Sequence, residues 1–198
     1  MDIVCSIDNN YVQHCCCMLV SFFENNKKEK HSIHLLSDAL TIENRKVIKE
    51  LVESYQGLFS YYPVDPNKLN SCPIKTTDHL TIATYYRLLM VTLLPQELKK
   101  VLYLDCDIVI DGSLRELWDT SLEGYALVAV DELNTSAKDV YERLEYDKKY
   151  GYFNAGVLLV NLEYWRSHSL TEVFFDYIAS HYDKIRAVSY THLTLPTT

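Results

Sequence analysis

Strand-like and helix-like patterns alternate along this chain from its first residues, and this alternation constrains the fold more than any other feature. Short apolar runs at 3–6, 33–36, 58–64, 101–104, 126–130 and 157–160 read as strands, the first of them buried. Between them lie segments whose apolar residues recur every three or four positions, the spacing of a helix face. Val12, Cys16, Leu19, Val20 and Phe23 mark the first, and Val47, Ile48, Leu51, Val52 and Tyr55 a second that begins near Thr41. Residues 81–94 are apolar and helix-compatible, whereas Pro63, Pro66 and Pro73 make 63–78 an irregular loop. A polar helix is expected near 136–148. The last helix is predicted to open on a capping box, Ser169 with Glu172, and to bury Leu170, Val173, Phe174, Tyr177 and Ile178 as far as about Ile185. Such alternation predicts an α/β fold, a mostly parallel sheet with helices on both faces. A length of 198 residues, 48% of them hydrophobic, suffices for the core of one medium domain.

Composition removes several function classes. Five glycines, none spaced as G-x-G-x-x-G or as a phosphate loop, exclude a glycine cradle for phosphate. A formal charge of -8 with no basic patch argues against nucleic acid as a partner. Met1 is followed by Asp2 without a basic leader, and apolar runs fall far short of the roughly 20 residues that span a bilayer. A soluble, cytoplasmic protein without a membrane span is therefore expected. The six cysteines lack paired C-x-x-C or Cys/His spacing, which predicts reduced thiols and no zinc site.

Chemistry collects where apolar runs end in aspartate. In open α/β sheets ligands bind beyond the carboxyl ends of the strands. Here three runs end in Asp8, in Asp105-Cys106-Asp107 and in Asp131. Parallel neighbouring strands would bring these carboxylates to one rim. Strand alternation would point Asp105 and Asp107 the same way, with Cys106 turned into packing. Two adjacent carboxylates repel unless a cation lies between them, and a hard divalent ion, Mn2+ or Mg2+, suits oxygen ligands. Arg87 sits among Leu, Tyr and Met residues, so its charge needs a partner if buried. Trp118 and Trp165 read as packing anchors.

Four blocks carry a resemblance to a known family. They are Ile3-Val4-Cys5-Ser6-Ile7-Asp8-Asn9-Asn10-Tyr11, Thr81-Ile82-Ala83-Thr84-Tyr85-Tyr86-Arg87-Leu88, Val101-Leu102-Tyr103-Leu104-Asp105-Cys106-Asp107, and Tyr152-Phe153-Asn154-Ala155-Gly156-Val157-Leu158-Leu159-Val160-Asn161-Leu162 with Trp165-Arg166. In that order and spacing the chain resembles the family 8 glycosyltransferases, which include bacterial lipopolysaccharide sugar transferases and glycogenin. The resemblance implies a Rossmann-like nucleotide-sugar-binding sheet of the GT-A type. It also implies a retaining hexosyltransferase that moves glucose or galactose from a UDP-sugar to a saccharide or lipopolysaccharide acceptor with Mn2+ (or Mg2+). Asp8 and Asn10 would bind the nucleoside and Tyr11 would stack on the base. Asp105 and Asp107 would hold the metal, and Ser6, Arg87, Cys106, Asp131, Asn154 and Ala155 would complete the donor site. Gly156 would let the backbone approach the sugar, and His79 would lie on the acceptor side.

Departures from the family pattern are equally specific. The resemblance implies a histidine as third metal ligand, in a segment like His-x-x-Gly followed by Lys-Pro-Trp, and an Asp-Gln-Asp block next to the anomeric carbon. Neither is present, and His192 has the wrong neighbours. The chain is accordingly expected to carry the donor-binding part of one catalytic domain over 1–186, with the catalytic residues in a missing C-terminal part. The charge-free, threonine-rich segment 188–198 reads as a non-native or unstructured tail. Retention is compatible with a double displacement or with a front-face route guided by the leaving phosphate. Two rival readings are an inactive nucleotide-sugar-binding fragment and a haloacid-dehalogenase-like phosphatase, with Asp105 as nucleophile and Asp107 as acid/base.

Overall fold

A computed structural model describes residues 1–73, 82–131 and 138–185, apart from the side chains of 138–140. Among the described residues six strands form one sheet: β1 (Asp2–Ser6), β2 (Ser32–Ser37), β3 (Leu58–Pro63), β4 (Lys100–Leu104), β5 (Leu127–Asp131) and β6 (Phe153–Asn161). Their order is β3-β2-β1-β4-β6-β5. The pairs β1/β2, β2/β3 and β1/β4 are parallel, whereas β6 runs antiparallel to both β4 and β5. Five strands thus share one direction. Their carboxyl ends, together with the amino end of β6, form a single rim.

Alternation along the strands divides the core between two faces. Ile3, Cys5, Ile33, Leu35, Leu102 and Leu104 pack against Met18, Leu19 and Phe22 of α1 (Val12–Asn25) and Ile48 and Val52 of α2 (Ile42–Ser54). On the opposite face Val4, Leu36, Val101, Tyr103 and Val160 meet Tyr86 and Leu89 of a 3-10 helix at Ile82–Leu89, together with Met90 of α3 (Met90–Leu93). Beyond α4 (Arg115–Trp118) and α5 (Lys138–Arg143), the same layer gains Leu162 and Trp165 from α6 (Leu162–Ser167) and Ile178 from α7 (Leu170–Ser180). Trp165 is buried, and its indole donates to the Ala126 carbonyl at 2.9 Å. Trp118 is partly buried against the α1/α2 face, with the Lys100 ammonium 4.6 Å from its ring centre.

Several expectations need correction. Val20 and Val47, expected on the packed faces of the first two helices, are exposed, and α1 buries Cys15, Met18 and Phe22 beside Leu19 and Phe23. The apolar 81–94 segment is described from Ile82 and is mostly 3-10, becoming α-helical only at Met90. Among the described residues the polar helix near 136–148 covers Lys138–Arg143 and so ends five residues early, and a separate 3-10 turn follows at Lys148–Tyr150. No capping box forms at Ser169, which is left-handed at φ 49° and makes no side-chain cap. The reason is the tight corner between α6 and α7, since a capping residue needs an extended backbone to aim its oxygen at the helix. That corner also rotates α7, so Val173 and Tyr177 are exposed, while Thr171 and Ile178 are buried and Leu170 and Phe174 partly so. Thr171 donates its hydroxyl to the Leu88 carbonyl at 2.9 Å, tying α7 to the 3-10 helix.

Candidate active site

At the end of β1 the chain turns sharply. Asp8 caps a 3-10 turn at Asn9–Tyr11, its Oδ1 accepting the Asn10 amide at 2.7 Å. Asn9 ties the turn to the start of α2, donating to the Ala39 carbonyl and accepting from the Thr41 amide and the Asn44 side chain. Asn10 and Tyr11 are left facing solvent, with the Tyr11 ring 5.3 Å from that of His14. An exposed aromatic face of this kind can stack on a nucleobase, worth about 1–3 kcal/mol.

Next to it, β4 ends at Leu104, and Asp105 extends the ladder by one bond, from its amide to the Gly156 carbonyl at 2.8 Å. Its Oδ1 accepts from the Tyr103 hydroxyl at 2.9 Å and from Arg87 Nη2 at 3.0 Å. Arg87 also donates to the carbonyls of Ala155 and Thr84, and its guanidinium lies 4.4 Å from the centre of the Tyr103 ring. The charge that needed a partner therefore has three acceptors. Ser6 is buried and places its Oγ 2.8 Å from the Tyr103 hydroxyl. Burial pushes the Tyr103 phenol well above its ordinary pKa.

The second carboxylate oxygen of Asp105 faces Gly156. A Cβ on that residue would lie 2.9 Å from Asp105 Oδ2 and 3.1 Å from Asn154 Oδ1, so the close approach requires glycine. Asn154 Oδ1 accepts the Gly156 amide at 2.8 Å, shaping the same corner.

Cys106 turns into the core as predicted, and burial pushes its thiol up to about 12. Residues 106 and 107 lie in a turn beyond the strand, so alternation does not align the two aspartates. Asp105 is turned to Tyr103 and Arg87, whereas Asp107 is exposed and borders an open cleft of about 350 Å³ with Gln13, His14 and Cys17 of α1. Asp131 is exposed at the end of β5, where it pairs with Phe153 at the amino end of β6.

Ser6, Arg87, Asp105 and Ala155 thus join one hydrogen-bonded cluster, with Asn154 beside it. Asp8, Asn10, Tyr11, Asp107 and Asp131 share its rim, whereas Cys106 points into the core beneath it. His79, His192 and the segment 188–198 lie outside the described residues. Tyr103 was missed as a site residue, although strand alternation places it on the same side as Asp105.

Asp105 Oδ2 and the Asp107 carboxylate accept no hydrogen bond among the described residues, and an all-oxygen pair of this kind fits a hard divalent cation. Among the described residues no group of three or more His, Cys, Asp or Glu side chains gathers as a metal site, so the pair would be a partial ligand set.

The chain is 33% identical over 174 residues to the lipopolysaccharide 1,2-glucosyltransferase of Escherichia coli, a match covering 87% of this chain and 51% of that protein. It is 29% identical to the lipopolysaccharide 1,3-galactosyltransferase of Salmonella typhimurium, over 86% of this chain and 51% of that one. The chain therefore spans about half the length of the curated relatives it matches. The crystal structure of the galactosyltransferase LgtC with donor and acceptor sugar analogs superposes with a TM-score of 0.86 at 29% identity, over 94% of this chain and 67% of that chain. Its fold is the GT-A arrangement expected here. The model of "Glycosyl transferase family 8" matches residues 2–197, and the chain belongs to glycosyltransferase family 8.

Proposed function

We propose that this chain forms the donor-binding part of a retaining hexosyltransferase that moves glucose or galactose from a UDP-sugar to a saccharide acceptor. The observation that carries the reading is the oriented carboxylate of Asp105, held by Arg87 and Tyr103 on the rim shared by Asp8, Asp107, Asp131 and Asn154. Asp8, Asn10 and Tyr11 bind the nucleoside, Asp105 and Asp107 contribute oxygens to a divalent cation, and Asp131, Asn154 and Ala155 border the sugar. When bound, Mn2+ or Mg2+ neutralises the diphosphate leaving group. Arg87 orients Asp105, and Gly156 admits the donor close to the backbone. The similarity to two lipopolysaccharide sugar transferases supports a lipopolysaccharide acceptor. Six free thiols suit a reducing compartment and support a cytoplasmic site, and among the described residues no helix is long and apolar enough to cross a membrane.

The test is a calorimetric titration of UDP, UDP-glucose and UDP-galactose with and without Mn2+, alongside assays of donor hydrolysis and phosphatase activity. UDP binding that Mn2+ tightens, a gain that Asp107→Asn abolishes, is the expected result. Binding without turnover would mark a fragment competent only for the donor. Phosphatase turnover without nucleotide binding would overturn the reading in favour of Asp105 as a phosphorylated nucleophile.

A further inference from the structure

We propose that Tyr103 is the positioning residue that sets which oxygen of Asp105 is offered to the cation and the donor. The inference deepens the donor-site reading and rests on it. Tyr103 is only 1% exposed, yet it touches both charges of the cluster, its hydroxyl on the Asp105 carboxylate and its ring beneath the Arg87 guanidinium. A phenol has one proton to donate, and here it goes to Asp105 Oδ1 at 2.9 Å. The contact with Ser6 at 2.8 Å must then run the other way, with Ser6 donating to the phenol oxygen. The result is a one-way chain, Ser6 to Tyr103 to Asp105, buried at its first two members and ending on a carboxylate that is 31% exposed.

The second donor on Oδ1 is Arg87 Nη2, so this oxygen already accepts two strong bonds. Charge-assisted bonds in a desolvated setting are short and directional. They fix the rotation of the carboxylate and leave Oδ2 facing Gly156, which has no side chain to cover it. With Arg87 alone the carboxylate could pivot about a single contact and present either oxygen. Tyr103 removes that freedom by gripping the same oxygen from the sheet side.

Tyr103→Phe deletes the hydroxyl and keeps the ring under Arg87. With saturating UDP present, free Mn2+ is followed by electron paramagnetic resonance, and UDP affinity without metal is measured separately by calorimetry. The dissociation constant for Mn2+ is expected to rise about 10–100-fold, the usual loss when a metal ligand's supporting partner is removed. UDP affinity without metal is expected to hold, because a merely structural role would weaken both. Ser6→Ala, which acts at the far end of the chain, shifts the Mn2+ constant in the same direction by less and serves if Tyr103→Phe does not fold. Unchanged Mn2+ affinity, or an equal loss of metal-free UDP binding, overturns the assignment. A wild-type chain that binds no UDP with Mn2+ overturns the donor-site reading itself, and this inference with it.

Discussion

Arg87 directs its three guanidinium nitrogens to three separate acceptors, the Thr84 carbonyl, the Ala155 carbonyl and the Asp105 carboxylate, with its side chain only 14% exposed. A lysine is a point charge and cannot reproduce that fork. Arg87→Lys is expected to cost about 2 kcal/mol, since loosening a largely buried pair leaves a poorly compensated charge. For a chain of this size that lowers the melting temperature by roughly 4–8 °C, which calorimetry can check. Gly156→Ala should act on binding more than on stability. Its methyl group would press on Asp105 Oδ2, so Mn2+-dependent UDP binding should fall while circular dichroism stays native. Far from the rim, Asp2 is held below its ordinary value of 3.8, chiefly by its hydrogen bond to His34 at 3.1 Å, with desolvation opposing. A depressed carboxylate stabilises the fold above its unfolded value, and that contribution is lost as pH falls through the folded one. Asp2→Asn should flatten the pH dependence of urea unfolding below about pH 5.

Elements were legible wherever local chemistry decided them. Thr41 does cap α2, accepting the Asn44 amide at 3.2 Å, and Thr41→Ala should cost about 1 kcal/mol. Ser169 has the same kind of side chain with no such bond, because the corner it occupies forces a left-handed backbone. A non-glycine residue there costs about 1–2 kcal/mol. Ser169→Gly is therefore expected to raise the denaturant midpoint, whereas a true capping serine would lose stability on the same change. The 3-10 helix at Ile82–Leu89 illustrates the converse limit. Its apolar residues suit an α-helix equally well, and the winding is chosen where Arg87 must reach Asp105 and Ala155 while Tyr86 and Leu89 stay buried.

The whole molecule decides which thiols can react. Cys5, Cys15, Cys72 and Cys106 are buried, Cys16 is half-covered and pushed up to about 11 by burial, and Cys17 is exposed beside Asp107. Native labelling with a thiol reagent should therefore modify one cysteine rapidly, and Cys17→Ser should abolish that fast phase. Helical spacing singles out Cys16 for the packed face, and only when α1 is laid on the sheet is Cys15 buried and Cys17 left exposed. By itself, the sequence determined the strand and helix alternation, the aspartates at strand ends and the four family blocks, because periodicity and end-of-strand chemistry are local properties. Only the tertiary structure decided that β6 runs against its neighbours, that Asp105 faces Tyr103 and Arg87 rather than Asp107, and that α7 turns Thr171 inward. Those outcomes depend on contacts between residues far apart in the chain, where burial and unsatisfied hydrogen bonds outweigh what any short segment prefers alone.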